Sequence, residues 1–168
     1  MKKSIHQSNA FVAVLTALVF FWSCSSWAAL SAMKPFESGS LEEILKSRQG
    51  EPFMLVLWSK DCSSCLKEMH VLAKVHKKHP ELDLVLLATD GAEHGEKLMS
   101  ILKKHGLGDI ETWAFSEAQA QSLRYEIDPT WYGELPRTYF YESSHERTGR
   151  SGTLDLKLVD AWVATLAR

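Results

Sequence analysis

Two strongly apolar runs stand out in the middle of the chain. Phe53-Met-Leu-Val-Leu-Trp58 follows Pro52, and Leu82-Asp-Leu-Val-Leu-Leu-Ala88 follows Pro80 and Glu81. Both have strand length, and neither shows the sustained alternation of a half-exposed strand, so each predicts a strand covered on both faces. Between them Leu66, Met69, Leu72, Ala73 and His76 recur at three- and four-residue steps. That spacing predicts a helix from Cys62 to about His79, stopped by Pro80. Upstream, Ser40-Leu-Glu-Glu43 has the form of a capping box and predicts a short helix through about Arg48, ended by Gly50.

The second half continues the alternation. Glu93 to His105 predicts a helix closed by Gly106, Ile110 to Phe115 a short strand, and Glu117 to Tyr125 a further helix. Arg137 to Glu142 reads as a strand. Ser143 to Arg150 is expected to turn the chain, Ser151 to Leu154 to form a last edge strand, and Asp155 to Leu166 to form a closing amphipathic helix. Strands alternating with helices, then a hairpin and a final helix, predict an α/β fold with a mixed central sheet flanked by helices.

Composition sets the class. The 168 residues are 45% hydrophobic and 24% charged, as in an ordinary globular domain with a real core. The net charge is −2, with no long run of like charge, so nothing points to nucleic acid or an anionic membrane surface.

The first 28 residues change the picture more. Lys2 and Lys3 precede an uncharged, mostly apolar run from Ala10 to Trp22, and Ser26-Trp27-Ala28 places small residues at the −3 and −1 positions of a cleavage site before Ala29. Residues 1–28 therefore read as an export signal, with the folded domain expected over 34–168. Removing them leaves 17 basic against 21 acidic residues. An uncleaved anchor spanning Phe11 to Leu30, or lipidation at Cys24, stays open; each route puts the domain outside the cytoplasm.

Export makes the cysteines informative. Cleavage leaves only Cys62 and Cys65 of the 3 in the chain. In an oxidising compartment such a pair is bridged for structure or used for redox chemistry. A bridge between residues three apart restrains little of the unfolded chain, because loop-entropy stabilisation grows with loop length. The spacing favours chemistry. Trp58-Ser-Lys-Asp-Cys62-Ser-Ser-Cys65 lies between a predicted buried strand and a predicted helix. A helix N-terminus offers unpaired N–H groups and partial positive charge, which stabilise a thiolate at Cys62. Zinc is disfavoured because one C-x-x-C supplies two ligands where a structural site uses four. Copper binding by the two thiolates stays chemically reasonable.

These residues resemble the thioredoxin superfamily, and within it the exported TlpA/ResA-like branch. The W-x-x-x-C-x-x-C stretch carries the likeness, with Glu68 three residues after Cys65, Leu135-Pro136 directly before a strand, Glu146 to Gly152 as the following hairpin, and about Ile110 to Tyr125 as a central insertion. The resemblance implies a thioredoxin-like fold, Cys62 as nucleophile, Cys65 as resolving thiol and Glu68 as an active-site acid. It also implies a cis bond before Pro136, and substrate contacts from Trp58, Leu135 and Pro136. His70 replaces a helix-kinking proline, Val56 stands where cytoplasmic thioredoxins carry a buried acid, and Ser63-Ser64 matches neither the reducing nor the strongly oxidising pairs of the superfamily. Lys60 would lower the Cys62 pKa and Asp61 would raise it, and the sequence does not say which lies nearer. Trp131-Tyr132 reads either as part of a partner rim or as an anchor for its loop.

The resulting expectation is a periplasmic thiol–disulfide oxidoreductase that reduces protein disulfides. It needs no bound cofactor and draws electrons from a membrane thiol donor, with membrane contact of its own only if the N-terminal segment is retained. A Cu(I)-carrying or partner-docking protein of the same fold is the alternative.

Overall fold

The computed structural model describes residues 33–116 and 120–166. The predicted export segment, with Cys24, lies outside the described residues, as do positions 117–119 at the start of one predicted helix.

The strands are β1 (Lys34–Phe36), β2 (Phe53–Trp58), β3 (Asp83–Gly91), β4 (Glu111–Phe115), β5 (Arg137–Tyr141) and β6 (Arg147–Ser151). They form one mixed sheet in the order β1-β4-β3-β2-β5-β6. β2, β3, β4 and β1 run parallel, whereas β5 and β6 are antiparallel to their neighbours. The helices are α1 (Ser40–Ser47), α2 (Ser63–Lys78), α3 (Gly95–Lys104), α4 (Ala120–Ile127) and α5 (Leu156–Leu166). β4 sits between β3 and β1, so the segment after Ile110 widens the sheet from within.

The uninterrupted apolar character of β2 follows from its place. Every one of its residues is buried, and successive side chains leave to opposite faces. Met54, Val56 and Trp58 join residues of α2, α3 and α5 in one apolar cluster. Phe53, Leu55 and Leu57 join residues of α1 and α4 in the other. A strand buried on both faces has no polar side to alternate with.

Several boundaries differ from the sequence reading, each for a physical reason. The last strand is Arg147–Ser151, not Ser151–Leu154, and the turn is confined to the residues before it. Its five residues are all exposed and carry no periodic signal. Pairing with β5, from Arg137 opposite Ser151 to Tyr141 opposite Arg147, is what makes them a strand. β1 is three residues long with only Phe36 buried, and pairing to β4 defines it. Ser40 does not act as the N-cap of α1. Gly39 occupies that position with φ 89°, and Ser40 Oγ instead accepts the Glu37 N–H at 2.9 Å. The helix expected from Glu93 opens as a 3-10 turn at Ala92–His94 before α3 begins. With His70 in place of a proline, α2 runs 16 residues without a break.

Candidate active site

The site grows out of the C-terminal end of β2. The chain leaves the sheet at Trp58, turns through Ser59, Lys60 and Asp61, and enters α2 with Cys62 as the N-cap residue. Ser59 O accepts the Cys62 N–H at 3.2 Å, which closes this turn.

Cys62 and Cys65 are joined by a disulfide, with Cα atoms 5.2 Å apart. The two sulfurs are not equivalent. Cys65 lies fully buried in the apolar cluster beneath the sheet face, whereas Cys62 packs against that cluster and stays partly exposed. An incoming thiol or disulfide can therefore reach Cys62 but not Cys65.

Cys62 Sγ occupies the place that a serine or aspartate oxygen usually fills at a helix start. It accepts the Cys65 backbone N–H at 3.1 Å. Ser64 Oγ lies 3.3 Å from the same sulfur, and because a disulfide sulfur carries no hydrogen the hydroxyl is the donor. The first turn of α2 holds no acidic residue. When the disulfide is reduced, these two donors and the positive end of the helix all favour a thiolate at Cys62. The sequence gives no sign of this role for Ser64, because a serine between the cysteines does not reveal where its hydroxyl turns.

Glu68 follows Cys65 by one turn on the same buried face of α2 and is 1% exposed. Its Oε1 accepts the backbone N–H of Leu154, on the segment between β6 and α5, while Oε2 has no hydrogen-bond partner. Burial drives the carboxyl up to about 7, and the Leu154 N–H only partly offsets that. The group can take up or release a proton near neutral pH.

Leu135 and Pro136 reach the same end of the sheet. Leu57 pairs with Arg137 in the β2–β5 ladder, which brings Pro136 alongside the end of β2. The Leu135–Pro136 peptide bond is cis. Pro136 is buried, and Leu135 is half-buried with its side chain against both apolar clusters. Trp58, expected to face substrate, has no exposed surface and sits in the cluster that contains Cys65, so it backs the site from below. Trp131 is buried with its indole N–H on Glu134 O at 2.9 Å and anchors the loop, while Tyr132 is 97% exposed.

A polar network secures that loop. Asp128 Oδ1 accepts the Thr130 N–H and hydroxyl at 2.9 and 2.7 Å, and Oδ2 accepts the Tyr139 hydroxyl at 2.9 Å. Arg137, the residue after Pro136, donates to Oδ2 at 3.3 Å. Burial alone would raise the Asp128 carboxyl, but the bonds from Thr130 and Tyr139, with the Arg147 charge, hold it down at about 2. Gly149 leaves room for this network: a Cβ there would come 2.3 Å from Arg137 Nη2 and 2.9 Å from the Tyr139 ring.

Lys60 Nζ lies 2.5 Å from Asp61 Oδ2 and 3.5 Å from Asp90 Oδ1. The bond to Asp61 raises the ammonium above its ordinary value. His70 stacks edge-on against His105 with centroids 4.8 Å apart, and His76 lies 3.3 Å from Asp109, so neither histidine turns toward the dithiol. Among the described residues there is no group of three or more His, Cys, Asp or Glu placed to hold a metal, and no helix is long and apolar enough to cross a membrane.

No family model and no curated protein sequence matches the chain. Solved structures do. A secreted Mycobacterium tuberculosis disulfide oxidoreductase homologous to E. coli DsbE is 21% identical with a TM-score of 0.57, over 72% of this chain and 86% of that one. A thioredoxin-related protein from Neisseria meningitidis serogroup B is 23% identical with a TM-score of 0.56, over 70% and 86%. A thiol:disulfide interchange protein of the thioredoxin family from Chlorobium tepidum is 14% identical with a TM-score of 0.58, over 73% and 83%. With the sheet order, the cis-proline and the dithiol at the start of α2, these likenesses establish that the chain has the thioredoxin-like fold.

Proposed function

We propose that the protein is an exported thiol–disulfide oxidoreductase that reduces disulfides in other proteins of the periplasm. One observation carries this reading: the two bonded sulfurs differ in access, with Cys62 reachable at a helix N-terminus and Cys65 buried behind it. A structural staple has no use for that asymmetry, whereas a two-step exchange depends on it.

In the reduced protein the Cys62 thiolate attacks one sulfur of a substrate disulfide. A Cys62–substrate bond forms, and the other substrate sulfur leaves as a thiolate that takes a proton from water. The Cys65 thiol then gives its proton to the Glu68 carboxylate and attacks Cys62 Sγ. The mixed disulfide breaks, the second substrate thiolate departs, and the Cys62–Cys65 bond is restored. The substrate gains two electrons and the protein loses two, so a dithiol donor must re-reduce it. A membrane-borne thiol donor fits an exported protein. The cis Leu135–Pro136 segment lies at the same end of the sheet and offers backbone for an extended substrate strand.

Insulin reduction with dithiothreitol tests the reading. The wild type should accelerate precipitation, and Cys62→Ser should abolish the effect. Cys65→Ser should accumulate mixed disulfides with partner proteins in cells. Activity that survives Cys62→Ser rejects an oxidoreductase role, and stoichiometric Cu(I) binding without any trapped partner identifies a carrier instead.

A further inference from the structure

Asp90 lies near the end of β3, where the pairing with β4 shifts register between Ala88 and Gly91. Its side chain is 7% exposed. It points back at the turn between β2 and α2. Oδ1 accepts the Ser59 hydroxyl at 3.1 Å, and Oδ2 accepts the Lys60 backbone N–H at 2.9 Å. Ser59 passes the restraint on: its Oγ accepts the Asp61 N–H at 3.2 Å, and its carbonyl accepts the Cys62 N–H at 3.2 Å. One carboxylate thus holds, directly or through Ser59, the backbone N–H groups of Lys60, Asp61 and Cys62.

The same carboxylate shares the lysine of this turn. The Lys60 ammonium is divided between Asp61 and Asp90. Those three side chains carry a net charge of −1, and a free ammonium beside Cys62 would favour its thiolate.

We propose that Asp90 is the positioning residue of the dithiol: it fixes the turn that delivers Cys62 to the start of α2 and, by engaging Lys60, withholds that charge from the Cys62 thiolate. The proposal rests on the reading of Cys62 as the attacking thiol. A less favoured thiolate makes the dithiol form less stable and the couple more reducing. The bias toward reduction then comes from β3, through a residue outside the C-x-x-C segment.

The test uses the whole protein, with the Cys62 thiol pKa read from ultraviolet thiolate absorbance and the dithiol–disulfide balance read against glutathione. Asp90→Asn keeps the side-chain shape and removes the charge. It should lower the Cys62 pKa by about half a unit and move the glutathione balance about threefold toward the dithiol. Lys60→Met, which removes the ammonium and leaves both carboxylates, should move both readouts the other way. The proposal fails if the two variants keep wild-type values, if they shift in the same direction, or if Asp90→Asn changes only the unfolding midpoint. Loss of insulin turnover in the wild type would instead defeat the oxidoreductase reading, and the thiol pKa would still report on Asp90.

Discussion

Glu68 accepts a hydrogen bond from the backbone N–H of Leu154, which ties the second turn of α2 to the segment that leads into α5. The acid one turn behind Cys65 is therefore held by the far end of the domain. Its second oxygen is buried without a partner, and the charged form is correspondingly disfavoured.

This arrangement predicts a pH-dependent stability with a definite sign. The folded Glu68 carboxyl titrates at about 7, against an ordinary value of 4.5. Between those values the folded protein binds the proton and the unfolded chain has released it, so stability falls as pH rises through the window. Above it the accumulated cost is on the order of 3 kcal/mol. Urea unfolding of the oxidised protein across this range should show the decline, and Glu68→Gln, which keeps an acceptor for Leu154, should remove it. A wild-type protein with flat stability over the same range contradicts the assignment.

Ser64 should matter to the reduced site. Its hydroxyl is one of two donors at Cys62 Sγ, and a hydrogen bond to a charged group is worth about 1.5–3 kcal/mol at most when fully formed. At a partly exposed sulfur the effect is smaller. Ser64→Ala should raise the Cys62 thiol pKa by roughly half to one unit. The pH dependence of iodoacetamide alkylation at Cys62 measures this, and an unchanged profile shows that the hydroxyl turns away on reduction.

Asp128 should be a stability determinant of the loop that precedes Pro136. Asp128→Ala removes the acceptor of Thr130 and Tyr139 and leaves the Arg137 guanidinium without this carboxylate. A loss of about 2–4 kcal/mol is expected, as for breaking a mostly buried charged network. The carboxyl is held at about 2 against an ordinary 3.8, so its contribution is complete above that ordinary value and disappears as pH falls toward 2. Acid unfolding of the variant should start from a lower plateau and lack that segment of the wild-type curve.

Much of this fold was legible in the residues, because burial on both faces leaves a mark that position alone can reveal. Phe53 to Trp58 and Leu84 to Ala88 read as central strands, and the resemblance carried by the cysteines and Leu135-Pro136 implied the cis bond that the structure has. What stayed hidden depends on partners far along the chain. β6 has no buried residue, and β1 has one, so only their neighbours make them strands. Asp90 reads as a polar residue ending a strand; its bonds to Ser59 and Lys60 span about thirty positions of sequence and leave no local pattern. The sharing of the Lys60 ammonium between Asp61 and Asp90 was likewise unreadable, because one of its two partners lies thirty positions away.

The donor that holds Glu68 belongs to the main chain. Every amino acid except proline supplies the same N–H at position 154. The bond depends on where the backbone runs, which the buried Leu154 side chain helps to fix in the cluster that holds Cys65, and a shift in the path of the chain after β6 reaches the acid at once. Insertions or deletions between β6 and α5 are therefore felt beside Cys65, although Gly152, Thr153 and Asp155 around Leu154 are exposed.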